Sequence, residues 1–176
     1  HIFNDYKYIE RDDIPVYINK VPWGLDRINQ PFLPLDGNIK MDKINNSKKR
    51  VHVYVLDTGV YSKHKIFTNY RHGKDFINEN DSHDDEHGHG THVAGIVQSV
   101  ISSSANIQII GVKVLSGGGY GKMSDVARGI QWVIEQRRPN AIISMSINGP
   151  KSDIVNEMIK IAFNYGVITV VAAGNV

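Results

Sequence analysis

The chain has 176 residues, 41% hydrophobic and 22% charged, which suffices for one domain around one sizeable core. A formal net charge of +2 is too small to argue for nucleic acid or an anionic membrane surface as partner, and no run approaches the ~18–20 consecutive apolar residues of a bilayer span. The absence of cysteine excludes disulfides and thiolate chemistry but leaves the compartment open.

Residues 1–20 are polar and aromatic, with Tyr6, Tyr8, Ile9 and Val16 as scattered anchors and Pro15 breaking any regular pattern. The sequence opens on His1 with no basic-then-apolar leader, so any targeting segment is expected outside it. Asn45 to Arg50 read as a loop, and its basic run Lys48-Lys49-Arg50 as solvated. Val51 to Leu56 follow as a strand, with β-branched residues at every second position and the unbroken apolar character of a strand covered on both faces. It ends in Asp57-Thr58-Gly59. Ligands of open α/β sheets bind beyond the carboxyl ends of strands, so Asp57 reads either as a functional carboxylate or as a turn residue before glycine.

Gly73 to Ile77 read as a short strand, and 78–85 as an acidic loop. Glu79, Asp81, Asp84, Asp85 and Glu86 beside His83 and His87 offer the hard oxygen ligands that suit calcium. No EF-hand spacing is present, so a solvated surface loop is the expectation, with calcium at most a structural ion. The loop runs directly into Thr91-His92-Val93-Ala94-Gly95-Ile96-Val97, a small and apolar stretch fit for a buried helix to about Ser99. A histidine at such a junction faces the loop's cleft from a fixed backbone. An imidazole with an ordinary pKa of ~6.5 needs little tuning to act as a general base near neutrality. His89 is the expected base, and His87 and His92 are read as loop and core residues. The His87-x-His89-x-x-His92 spacing also admits a zinc hydrolase, although His92 in the helix would point away and no HExxH occurs.

Ser102-Ser103-Ser104 read as a turn, Asn106 to Leu115 as a buried strand, and Ser116 to Gly121 as a flexible glycine-rich loop. Ser124-Asp125 are expected to cap a helix to about Arg137, with Val126, Ile130, Val133 and Ile134 on one face. Asn140 to Ser146 form a third buried strand. Ser152-Asp153 cap a helix to about Tyr165, which Gly166 stops. Val167 to Ala172 form a fourth strand ending at Ala173-Gly174-Asn175. Strands alternate with helices, which predicts an α/β fold: a three-layer, mostly parallel twisted sheet with helices on both faces. Right-handed crossovers would bring the ends of the strands bearing Asp57, Ser146 and Asn175 to one edge.

Asp57-Thr58-Gly59, His89-Gly90-Thr91-His92-Val93-Ala94-Gly95 and Ala172-Ala173-Gly174-Asn175 together resemble the subtilisin-like serine proteases (subtilases), in family order, from about Trp23 to Asn175. Within that family the aspartate, histidine, serine order is subtilisin's own. The resemblance implies the subtilisin-like fold, incomplete at the C-terminus, and a serine endopeptidase in which Asp57 orients His89 and Asn175 donates to the oxyanion. It makes Gly119-Tyr120-Gly121 and Ser146-Ile147-Asn148 the two walls of a peptide cleft, with Asn148 standing where glycine is usual. The family's Gly-Thr-Ser-Met-Ala segment does not occur. The serine is therefore expected on a missing C-terminal segment; the alternative is an inactive truncated chain or pseudoenzyme that binds peptide or a partner. Tyr8 to Asp12 resemble a propeptide end and Val21 to Ile28 a mature start, which makes 1–20 a propeptide end or N-terminal arm and 21–176 the N-terminal part of the peptidase domain. Peptide or protein substrates and the chain's own propeptide are the implied partners, and a secreted or vacuolar setting the implied location.

Overall fold

A computed structural model describes residues 21–38, 49–78, 84–100 and 106–174. The N-terminal arm 1–20, much of the 45–50 loop, Glu79, Asp81 and His83 of the acidic loop, the 102–104 turn and Asn175 lie outside the described residues. The elements are α1 (Trp23–Asn29), β1 (Val51–Asp57), β2 (Tyr70–Asp75), α2 (His89–Ser99), β3 (Ile107–Lys113), α3 (Met123–Glu135), β4 (Ala141–Met145), α4 (Asp153–Asn164) and β5 (Ile168–Val171).

Five strands form one sheet in the order β2-β3-β1-β4-β5, and every pairing is parallel. Central β1 explains the layering, because successive side chains of a strand point to opposite faces. Val53 and Val55 pack with Ile109 and with Ala94 of α2 on one face. Tyr54 and Leu56 join Val126, Ile130 and Val133 of α3 and Ala162 of α4 on the other. Tyr54 also meets Trp132 edge to face, with ring centroids 6.0 Å apart. The same alternation carries Asp57 to the α2 side, beneath the start of the helix that bears His89. The α/β fold with helices on both faces is therefore the observed one.

Several boundaries differ from expectation. β2 lies earlier than 73–77, because its register shifts between His72 and Lys74 and leaves Gly73 in an irregularity against the Gly111 carbonyl. α2 starts at His89 rather than Thr91, since the Gly88 backbone turns through φ +97° and delivers the next residue already helical. Ser124 and Asp125 do not cap α3. Lys122 holds the N-cap position without a side-chain bond, and Asp125 in the first turn accepts from Arg128. Ser152 does cap α4, accepting the Val155 N–H. α1 had no counterpart in the expected elements. On the far side, Phe163 and Tyr165 at the end of α4 and Ile168, Val170 and Val171 of β5 are exposed.

Replacing fully buried Ile143 with alanine is expected to destabilise the fold by about 2–5 kcal/mol. The same change at exposed Ile154 should cost no more than about 0.5 kcal/mol. Urea unfolding midpoints of the two variants measure the difference.

Candidate active site

Asp57 ends β1 and is fully buried. Its Oδ1 accepts the Thr58 N–H at 2.7 Å and lies 2.8 Å from His89 Nδ1. A carboxylate is acceptor-only, so this contact puts the imidazole proton on Nδ1 and leaves Nε2 as the basic nitrogen. The His89 side chain is 29% exposed, while that of Asp57 is closed to solvent. The Asp57 hydrogen bond raises the His89 pKa above its ordinary value; burial opposes the rise, and the charges of Asp57 and Asp85 support it. His92, one turn on, is pushed the other way by burial and by the charge of His89.

The carboxylate of Asp85 holds the pair in register. Its Oδ1 accepts the Thr58 hydroxyl at 2.8 Å and the N–H groups of His87 and Gly88 at 3.0 and 2.8 Å. Its Oδ2 accepts the N–H and the hydroxyl of Thr91 at 2.9 and 2.6 Å. Thr58 Oγ1 accepts the Gly90 N–H at 3.0 Å, and Thr91 Oγ1 accepts the Tyr61 N–H at 2.9 Å. One buried anion thus satisfies donors at the start of α2, where the helix dipole favours negative charge, and couples that start to the turn after Asp57. Burial pushes the Asp85 carboxyl upward, but the Thr91 hydroxyl and the N–H groups of Gly88, Thr91 and His87 outweigh it and hold the group below its usual value. The expectation of a solvated acidic loop is therefore corrected at Asp85, which is buried because five donors replace its water. Gly90 completes the contact: a Cβ there would fall 2.1 Å from the Gly59 carbonyl oxygen and 3.1 Å from Asp57 Cβ.

The glycine-rich segment is not a flexible loop. Ser116 N–H donates to the Tyr120 carbonyl at 2.8 Å and Gly119 N–H to the Ser116 carbonyl at 2.9 Å, closing it into a turn. It lies along the histidine loop, with Gly117 against the Glu86 side chain and Gly119 against the His87 ring. Tyr120 is exposed, and Gly121 sits on the Val114 carbonyl. Ser146 and Ile147 leave the end of β4 half-buried, followed by exposed Asn148. A Cβ on Gly149 would overlap the methyl of Met123, so this segment packs at the start of α3. The structure therefore brings Asp57, His89 and Gly119 into one neighbourhood and places Ser146 to Asn148 beyond the carboxyl end of β4. The His87 and His89 rings meet edge to face, with centroids 6.3 Å apart. Among the described residues, no group of three or more His, Cys, Asp or Glu side chains is placed to hold a metal.

Asp57→Asn should lower the His89 titration, read by NMR of the imidazole, because both the hydrogen bond and the charge that raise it weaken. Since the folded pKa of His89 is raised, its stabilising contribution is full below the unfolded value of ~6.5 and fades as pH rises through the folded value. The Asp85 contribution has the opposite sign: it is present above ~3.9 and lost as pH falls through the depressed value. Asp85→Asn should therefore destabilise the chain by about 2–4 kcal/mol at pH 7 and flatten the acid limb of its stability profile.

Comparison with known proteins matches residues 48–176 to the family model described as the subtilase family. The chain is 40% identical over 174 residues to the extracellular serine proteinase of Thermus sp. (strain Rt41A), covering 96% of this chain and 42% of that protein. It is 38% identical over 155 residues to alkaline serine exoprotease A of Vibrio alginolyticus, covering 87% of this chain and 28% of that one. The crystal structure of a cold adapted subtilisin-like serine proteinase superposes with a TM-score of 0.79 at 38% identity, covering 89% of this chain and 57% of the other. The chain thus spans less than half the length of these two curated relatives. With the family model covering most of its length and both relatives well above 30% identity, this chain belongs to the subtilase family of serine proteases.

Proposed function

We propose that the chain supplies the aspartate, the general base and part of the substrate cleft of a serine endopeptidase. The 2.8 Å contact between a buried carboxylate and a partly exposed imidazole at the carboxyl edge of the sheet carries this reading. In it, His89 Nε2 takes the proton of a serine hydroxyl as that oxygen attacks the scissile carbonyl, then returns it to the leaving amine. Asp57 holds the ring in the required tautomer and stabilises the imidazolium. The serine would come from chain outside these 176 residues, in keeping with the greater length of the curated relatives. Asn175 would donate its amide to the developing oxyanion.

Substrates would be peptides or proteins, laid as an added strand between Gly119-Tyr120-Gly121 and Ser146-Ile147-Asn148, with alternate side chains filling pockets. The side chain of Asn148 would narrow or contact the pocket beside it. Residues 1–20 would be the end of a propeptide or an N-terminal arm, and the working site secreted or in a secretory-pathway or vacuolar lumen. No helix among the described residues is long and apolar enough to cross a membrane. The proposed chemistry draws on no cofactor. Any calcium would be a structural ion, and among the loop carboxylates Asp85 is already committed to its five donors.

The test uses the chain together with its C-terminal continuation. A fluorophosphonate probe should label the complete protein, and His89→Ala should abolish both labelling and peptide hydrolysis while the circular dichroism stays unchanged. Asp57→Asn should lower turnover ~10⁴-fold, a magnitude taken over from the chymotrypsin-type triad. Asn175→Ala should lower it ~10²–10³-fold, a magnitude taken over from subtilisin itself. Undiminished hydrolysis by His89→Ala would remove it from the mechanism.

A further inference from the structure

Lys113, the last residue of β3, is a buried cation that the chemistry above does not use. It is the Cα partner of Asp57 in the parallel ladder, so both side chains emerge on the α2 face of adjacent strands, roughly 5 Å apart in backbone spacing. Its ammonium donates to the Thr58 carbonyl, on the turn directly after Asp57. It also lies 3.8 Å from Glu86 Oε2, on the loop that leads into His89. The Lys113 side chain is fully closed to solvent, whereas that of Glu86 is 62% exposed. Glu86 in turn packs against Gly117 of the glycine-rich turn.

Two observations require a role for this charge. A buried ammonium is unfavourable unless a fixed partner compensates it, and the partner found is the turn that carries Asp57. Conversely, Asp57 Oδ2 is buried with no hydrogen-bond partner among the described residues, although the carboxylate must stay ionised to orient an imidazole. The cation of Lys113 stands on the next strand at the register position of Asp57. Resting on the triad reading, we infer that Lys113 and Glu86 are a positioning pair. The ammonium ties the Asp57 turn to the His89 loop from behind and sets the approach of carboxylate to imidazole, and Glu86 extends the tie to the glycine-rich substrate wall.

The charged and titratable groups that interact with His89 are Asp57 on β1, Asp85 and His87 in the loop and His92 on α2, while Lys113 and Glu86 reach it through the Asp57 turn and the loop. Against that background the two members of the pair have opposite electrostatic signatures. The test compares Lys113→Met, Glu86→Gln and the double variant in the complete protein, reading the His89 imidazole titration by NMR and the plateau kcat and KM for a peptide substrate. Lys113→Met keeps the aliphatic stem and removes the charge. It should raise the His89 titration and lower plateau kcat ~10-fold, with KM changed less than ~3-fold. Glu86→Gln should lower the titration and reduce plateau kcat ~3-fold. The double variant should titrate near wild type but remain as slow as Lys113→Met, since the two changes remove one link.

A folded Lys113→Met protein with unmoved His89 titration and undiminished kcat would overturn the inference. Should Lys113→Met fail to fold, Glu86→Gln decides through its plateau kcat, which proximity of charge alone leaves unchanged; a wild-type plateau overturns the pair. A wild-type protein without peptidase activity would count against the triad reading instead. The opposite titration shifts, and their cancellation in the double variant, would then still test the pair.

Discussion

The Asp85 carboxylate is the constraint from which the site follows. It is buried and anionic, and it sits where the first turn of α2 presents N–H groups that the helix itself cannot satisfy. By also taking the Thr58 hydroxyl, it ties that helix start to the strand end carrying Asp57. The Asp57–His89 hydrogen bond is then set by the backbone on both sides rather than by two side chains finding one another. Glycine at 88 and 90 is part of the same arrangement: the first turns the chain at positive φ, and the second allows the helix to touch the Gly59 carbonyl. Fixing two side chains this way removes the orientational freedom they would otherwise lose on meeting.

Much of this was legible in the sequence because it is written in local pattern. The largely apolar runs at 51–56, 106–115 and 140–146 read as buried strands, since a parallel sheet covered on both faces needs side chains of one character. Ser152 read as a cap because a single hydroxyl suffices for that role. Asp57 and His89 were singled out by motif order, and the structure brings their side chains to 2.8 Å, an arrangement that spacing alone does not contain. What escaped was whatever depends on distant partners. Asp85 looks in sequence like Asp84, and only the donors gathered around it distinguish a buried anion from a solvated one. Lys113 sits inside an apolar strand, a place where a charge signals a fixed partner, and nothing local names Thr58 or Glu86 as that partner. The α3 start was misplaced because Ser124-Asp125 resembles a cap, whereas Asp125 is engaged by Arg128 one turn on.

The two faces of the molecule differ in character. Around Asp57, the buried charges of Asp85 and Lys113 meet fixed partners, and the glycine-rich turn is closed by its own backbone bonds. At the other end of the sheet, β5 pairs with β4 alone among the described residues, and apolar side chains of α4 and β5 stand in water. Exposed apolar side chains are thus gathered at that end of the sheet, away from Asp57 and His89.

The central claim is that Asp57 dictates which nitrogen of His89 is basic, and the imidazole tautomer tests it most directly. In a long-range ¹⁵N–¹H spectrum recorded above the His89 pKa, the account predicts the proton on Nδ1, with a low-field signal protected from exchange, and an unprotonated Nε2. A proton on Nε2, or a ring exchanging freely between both forms, would contradict it.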